Sequence, residues 1–142
     1  RGALVKAVVA VSEQEPVDIV VPISRTADFI RFINELDEQS GMQMVSFGHA
    51  GDGNVHLCVV RGERDDETWQ RELHENMGKA YAEAYRLGGV ASGEHGIGVS
   101  KRPYFLRQTA KENLQAMNAV KTALDPLHIL NNGKSYLTGG KQ

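Results

Sequence analysis

The run Gly48-His49-Ala50-Gly51-Asp52-Gly53-Asn54-Val55-His56 sets two histidines symmetrically about an Asp-Gly pair. Asp-Gly favours a two-residue turn between antiparallel strands, so the run predicts a hairpin in which Gly51 pairs with Asn54, Ala50 with Val55, and His49 with His56. Directly opposed residues carry Cβ atoms about 4.5–5.5 Å apart, near enough for two imidazoles to share one cation. Along a straight strand an odd separation would put the two side chains on opposite faces; the turn restores a common face.

Working outward, Met42 to Gly48 and Val55 to Val60 read as the hairpin arms, and Arg61-Gly62-Glu63-Arg64 as a polar turn. Upstream, Glu13-Gln14-Glu15-Pro16 is a polar break, and Val17-Asp18-Ile19-Val20-Val21 has the β-branched composition of a strand closed by Pro22. Between them Phe29, Ile30, Phe32, Ile33 and Leu36 recur at helical spacing. They predict a helix from Thr26 to Gln39, capped by Ser24 or Thr26 and stopped by Gly41. Downstream, Asp65, Asp66 and Glu67 open a long helix whose apolar stripe is Trp69, Leu73, Met77, Ala80, Ala84 and Leu87, with Gly88-Gly89 as its end. Pro103 suits the first turn of a further helix with a buried side of Leu106, Ala110, Leu114, Met117, Ala123 and Leu124, stopped at Asp125-Pro126. Leu4 to Ser12 is apolar and valine-rich, a pattern that fits the end of a helix or a strand, with the helix end preferred. The order predicts an α+β fold in which helices cover one face of an antiparallel sheet, as a single domain over residues 1–142.

The 142 residues are 41% apolar and 24% charged, enough for one domain with a real core. A net charge of −2 makes no electrostatic case for nucleic acid or for a membrane surface as partner. The single cysteine, Cys58, excludes an internal disulfide and suits a reducing compartment. No apolar run reaches the length of a membrane span, so a cytoplasmic place is expected, with membrane association only through partner subunits. Neither a GxGxxG turn nor a GxxxxGK[ST] loop occurs, so a large cofactor would be held elsewhere. The chain opens at Arg1 in mid-pattern and reads as a piece of a longer protein.

A second cluster, Ser92-Gly93-Glu94-His95-Gly96-Ile97-Gly98, sets a carboxylate and an imidazole among glycines that let the backbone approach something closely. Catalytic divalent sites commonly use three protein ligands and keep one position open, and Glu94 is the candidate third ligand beside His49 and His56. In an extended segment His95 would point to the other side, its imidazole left for proton transfer. Cys58, two residues beyond His56, shares that residue's face; it either lines the site or is a small buried thiol. His74, His128 and the Trp69 stripe read as structural or surface features. The competing reading is a non-catalytic metal-binding or assembly module in which Cys58 closes a structural zinc site.

Three motifs in one order carry a resemblance: Phe47 to His56, Ser92 to Gly98 with Lys101, and Leu124-Asp125-Pro126 running to Ile129-Leu130-Asn131-Asn132-Gly133-Lys134. Together they resemble the C-terminal domain of the FAD-linked oxidases, the group of glycolate oxidase D subunits, D-lactate dehydrogenases and D-2-hydroxyglutarate dehydrogenases within the vanillyl-alcohol oxidase superfamily. The resemblance implies a ferredoxin-like fold here and a separate N-terminal domain that holds most of the FAD. It implies oxidation of a D-2-hydroxy acid to the 2-oxo acid, with hydride passing to flavin. It further implies a divalent metal, zinc foremost, on His49, His56 and Glu94, with His95 as base, and Asn131 near the flavin. Arg1 matches the arginine of the family's Trp-x-x-Arg element, implied to pair with the substrate carboxylate. Cys58 stands where hydroxyglutarate-type members carry a site asparagine, Pro16 where some carry a substrate-binding lysine, and Asn132 replaces a usual proline. Those departures point to a glycolate- or lactate-type substrate rather than a long diacid. The implied partners are the small hydroxy acid and the FAD-binding domain, with self-association or further subunits left open.

Overall fold

Runs of buried residues, Val17 to Ile19 and Leu57 to Val60, mark two strands covered on both faces. The computed structural model describes residues 6–7, 10–49, 51–131 and 133–134. Strands β1 (Gln14–Val20), β2 (Met44–His49) and β3 (Asn54–Val60) form an antiparallel sheet in the order β1-β3-β2. Helix α1 (Thr26–Ser40) lies between β1 and β2 in sequence, and helix α2 (Asp66–Arg86) follows β3. Past α2, Val90 bridges antiparallel to Val20 on the outer side of β1. This is the β-α-β-β-α-β order of a ferredoxin-like unit, its last strand reduced to one bridge.

Val17 and Ile19 of β1 and Val55, Leu57 and Val59 of β3 are buried on one face of the sheet. Phe29, Ile33 and Leu36 of α1 and Trp69, Met77, Ala80, Tyr81 and Ala84 of α2 supply the buried sides of the two helices. The helices touch each other, α1 touches β2, and α2 touches β1, so both cover this face. The expected α+β arrangement, with helices on one face of an antiparallel sheet, is what forms.

Several local expectations shift. β1 begins at Gln14, so the stretch read as a polar break belongs partly to the sheet. Pro16 is tolerated there for a geometric reason. Val20 turns its N–H and C=O outward to Val90, and four residues earlier Pro16 faces the same edge, where a missing donor breaks no bond to β3. Neither Ser24 nor Thr26 caps α1: a 3-10 turn, Ile23–Arg25, runs straight into it, and the Thr26 amide already donates to the Ile23 carbonyl. Gly41 stops α1 as expected, in the left-handed conformation at φ 62°. Asp65 caps α2 by accepting from the Thr68 N–H, which lowers its own pKa. Of the Leu4 to Ser12 segment, Lys6 and Ala7 are helical, and most of the remainder lies outside the described residues.

The backbone gathers into two compact units, Arg1–His95 and Gly96–Gln142. In the second, the single helix expected after Pro103 is two: α3 (Arg102–Gln108) and α4 (Lys111–Leu124). Thr109 takes an extended conformation and its hydroxyl donates to the Phe105 carbonyl at 2.7 Å, while Ala110 at ψ 142° starts the next helix as its N-cap. The predicted buried side is not buried: α4 has no buried residue, and Leu124 is 80% exposed. Asp125 ends α4 as expected. Its carboxylate meets the Lys121 ammonium and accepts from the Ile129 and Leu130 amides, and together these hold its pKa down, Lys121 foremost.

Leu57 is fully buried at the middle of the central strand. Leu57→Ala is expected to lower unfolding free energy by about 2–5 kcal/mol, from lost transfer energy and the cavity left behind, read as a lower urea midpoint. A midpoint unchanged from wild type would mean that the central strand does not carry the core.

Candidate metal centre

The sheet face opposite the helices carries Asp18 of β1, Asn54, His56 and Cys58 of β3, and Phe47 and His49 of β2. The hairpin register is not the one Asp-Gly predicts. Phe47 opposes His56, and His49 opposes Asn54, across a four-residue connection rather than a two-residue turn. One local and one long-range hydrogen bond account for it. Asp52 uses its side chain to accept the Asn54 N–H at 3.0 Å, and Gly53, left-handed at φ 77°, gives its carbonyl to the Val21 amide of the neighbouring segment. Because the register moves by two residues, and side chains alternate with period two, His49 and His56 stay on one face. They become diagonal neighbours, with ring centroids 5.3 Å apart.

Glu94 arrives from the segment after the Val90 bridge. Its Oε1 lies 2.9 Å from His56 Nε2 and 3.6 Å from His49 Nε2. One ligand atom from each of His49, His56 and Glu94 falls within 4.8 Å of the others. Tetrahedral zinc with bonds near 2.0 Å places its ligand atoms roughly 3.3 Å apart, so 2.9 and 3.6 Å bracket the separation such an ion needs. Two imidazole nitrogens and one carboxylate oxygen also make a donor set of the catalytic zinc type. The residues present fit a divalent ion. The His56 side chain is 12% exposed and stacked on Phe47, whereas those of His49 and Glu94 are 47% and 52% exposed, so the cluster has a closed floor and an open outer side.

Sequence reasoning missed what holds Glu94 in place. Asp18 lies opposite His56 across the β1/β3 ladder and is fully buried. Its Oδ1 accepts the Gly93 N–H at 2.7 Å, and its Oδ2 accepts those of Glu94 at 2.8 Å and His95 at 2.6 Å, with the Ser92 hydroxyl at 3.3 Å. The available signal was an aspartate inside an apolar strand, since a buried carboxylate needs several donors. Asn54, also buried, reaches Glu94 Oε1 through Nδ2 at 3.5 Å. Gly93 lies where a Cβ would come 2.7 Å from Asn54 Nδ2 and 2.6 Å from Val20 Cγ2, so close approach demands glycine there.

His95 departs from expectation. The segment bends instead of extending, and the imidazole joins the cluster, its ring 5.2 Å from that of His56. Its Nδ1 lies 3.8 Å from Asp18 Oδ2. Cys58 does share the face of His56, but it is buried and stands outside the ligand group, and burial pushes its thiol pKa up. Arg1 lies outside the described residues. Asn131 is exposed, with left-handed φ of 50°, in the second unit.

The family model described as FAD linked oxidases, C-terminal domain, matches residues 6–135. The chain is 36% identical over 135 residues to a D-lactate dehydrogenase of Anaerostipes hadrus, covering 94% of this chain and 28% of that protein. It is 37% identical over 119 residues to the glycolate oxidase subunit GlcD of Bacillus subtilis (strain 168), covering 84% and 25%. A D-lactate dehydrogenase of Archaeoglobus fulgidus is 39% identical over 122 residues, covering 84% and 26%. The chain thus spans about a quarter of the length of these relatives.

Burial disfavours the Cys58 thiolate, so less of it exists at pH 8 than for a free cysteine. Alkylation of the native protein by iodoacetamide at that pH is expected to run at least about tenfold slower than in urea. Equal rates would place the thiol in solvent.

Proposed function

The chain belongs to the FAD-linked oxidase C-terminal domain family, and on that premise we propose that it forms the substrate side of an FAD-dependent dehydrogenase for a short D-2-hydroxy acid of the lactate or glycolate type. The observation that carries this reading is the convergence of His49, His56 and Glu94 on one point with an open outer side. A bound divalent ion would acidify a substrate hydroxyl and a bound flavin would accept hydride, which no side chain here can do. The protein's residues do the rest. His49, His56 and Glu94 would hold the ion, and Phe47 fixes the His56 ring by stacking.

His95 is the base. Its Nδ1 is turned toward Asp18, leaving Nε2 to take the hydroxyl proton as the C2 hydrogen departs with its electron pair and the C2–O bond becomes a carbonyl. The small, buried Cys58 supplies no polar partner for a second carboxylate, which suits a short substrate. A structural zinc site closes with four protein ligands; among the described residues the group has three, and its exposed side favours the open, catalytic form over an assembly module.

Two substitutions separate the roles. In the protein carrying its flavin-binding part, His49→Ala is expected to lose both bound metal and oxidation of D-lactate and glycolate. His95→Ala is expected to keep the metal, measured by elemental analysis, and to lose about 10²- to 10⁴-fold in kcat. Metal retained in His49→Ala, or full turnover in His95→Ala, would overturn the assignment.

A further inference from the structure

We propose that Asp18 is the positioning residue of this centre: a buried carboxylate that touches neither ion nor substrate, yet sets the place of both Glu94 and His95 by holding their main chain. The inference rests on the metal reading above and adds to it the device that makes the centre possible.

Glu94 and His95 lie in a segment of bends, with no strand or helix to fix their backbone. Left to itself such a segment samples many conformations, and ordering each residue costs backbone entropy. Asp18 sits on β1, opposite His56, in a sheet whose core is closed on its other face. Its two oxygens accept three consecutive amides at 2.6–2.8 Å, a nest of donors that a carboxylate satisfies and a neutral side chain does not. The strand that opposes one ligand thereby locks the loop that presents another. Gly93 completes the lock from the other side, packed against Val20 and Asn54 with no room for a Cβ. Groups that orient metal ligands typically carry 10- to 100-fold in metal affinity.

Asp18→Asn keeps the shape but turns one acceptor oxygen into a donor facing amides. Cobalt(II) added to the purified chain reads the centre through its d–d absorption, and amide hydrogen exchange reads the loop without any metal. Asp18→Asn is expected to weaken cobalt binding 10- to 100-fold with altered bands, and to deprotect the Gly93, Glu94 and His95 amides while the strand amides stay protected. Ile19→Val, which loosens the same strand without touching the loop, is expected to keep cobalt affinity and loop protection near wild type. Wild-type affinity and loop protection in Asp18→Asn, or an equal loss in Ile19→Val, would overturn the proposal.

Should Asp18→Asn not fold, Gly93→Ala decides. It crowds Val20 and Asn54 without changing buried charge, so loop exchange is its readout: the amides of residues 93–95 must lose protection for the proposal to stand, and retained protection overturns it. If the wild-type chain takes up no cobalt, the metal reading fails by itself. Exchange at residues 93–95 then decides the role of Asp18, with selective deprotection supporting it and unchanged protection overturning it.

Discussion

A carboxylate taken out of water costs several kcal/mol unless donors replace its hydration, and Asp18 is fully buried in the middle of a strand. Its compensation comes from the amides of Gly93, Glu94 and His95. The requirement runs both ways. The carboxylate needs the loop to be satisfied, and the loop has no regular hydrogen-bonding of its own to hold it. One interaction therefore joins a stable sheet to the segment that carries Glu94 and His95.

The sheet divides labour by period two. Val17 and Ile19 of β1 and Val55, Leu57 and Val59 of β3 lie on the helix-covered face, while Asp18, Asn54 and His56 lie on the face of the site. The same period explains why an altered hairpin leaves the histidines together: a one-residue slip would have sent them to opposite faces, and a two-residue shift does not. The face is not uniformly polar. Cys58 and Val60 are buried on it, and Phe47 stacks on His56, so the imidazoles stand on a packed floor. A rigid floor with an exposed rim is the arrangement in which a ligand set keeps its geometry while leaving room for a small molecule.

Family membership and site geometry speak to different questions. The match over residues 6–135 assigns the chain to the FAD-linked oxidases' C-terminal domain, and relatives named D-lactate dehydrogenase and glycolate oxidase subunit GlcD support hydroxy-acid oxidation as the kind of chemistry. The separation of donor atoms concerns what this particular chain can hold. The second unit contributes two helices and the Asp125 turn, with Val120, Leu124, Leu127 and Ile129 largely exposed.

By itself, the sequence determined most of the elements of the first unit and singled out His49, His56 and Glu94 as candidate ligands. Helical spacing from Phe29 to Leu36, the Gly41 stop and the acidic start of α2 are local signals, and local signals survive without knowledge of the fold. The two histidines and Glu94 were legible because few other roles ask for those residue types in such company. Tertiary structure completed the hairpin register, since the Val21 amide takes the Gly53 carbonyl while the Asp52 side chain takes the Asn54 amide, a combination no dipeptide preference contains. It decided the break at Thr109, where one helical pattern became two helices, the second with no buried residue. It also decided the place of His95 and the part played by Asp18, because a carboxylate that captures amides more than 70 residues away does so through long-range packing, which leaves no periodic trace in the chain.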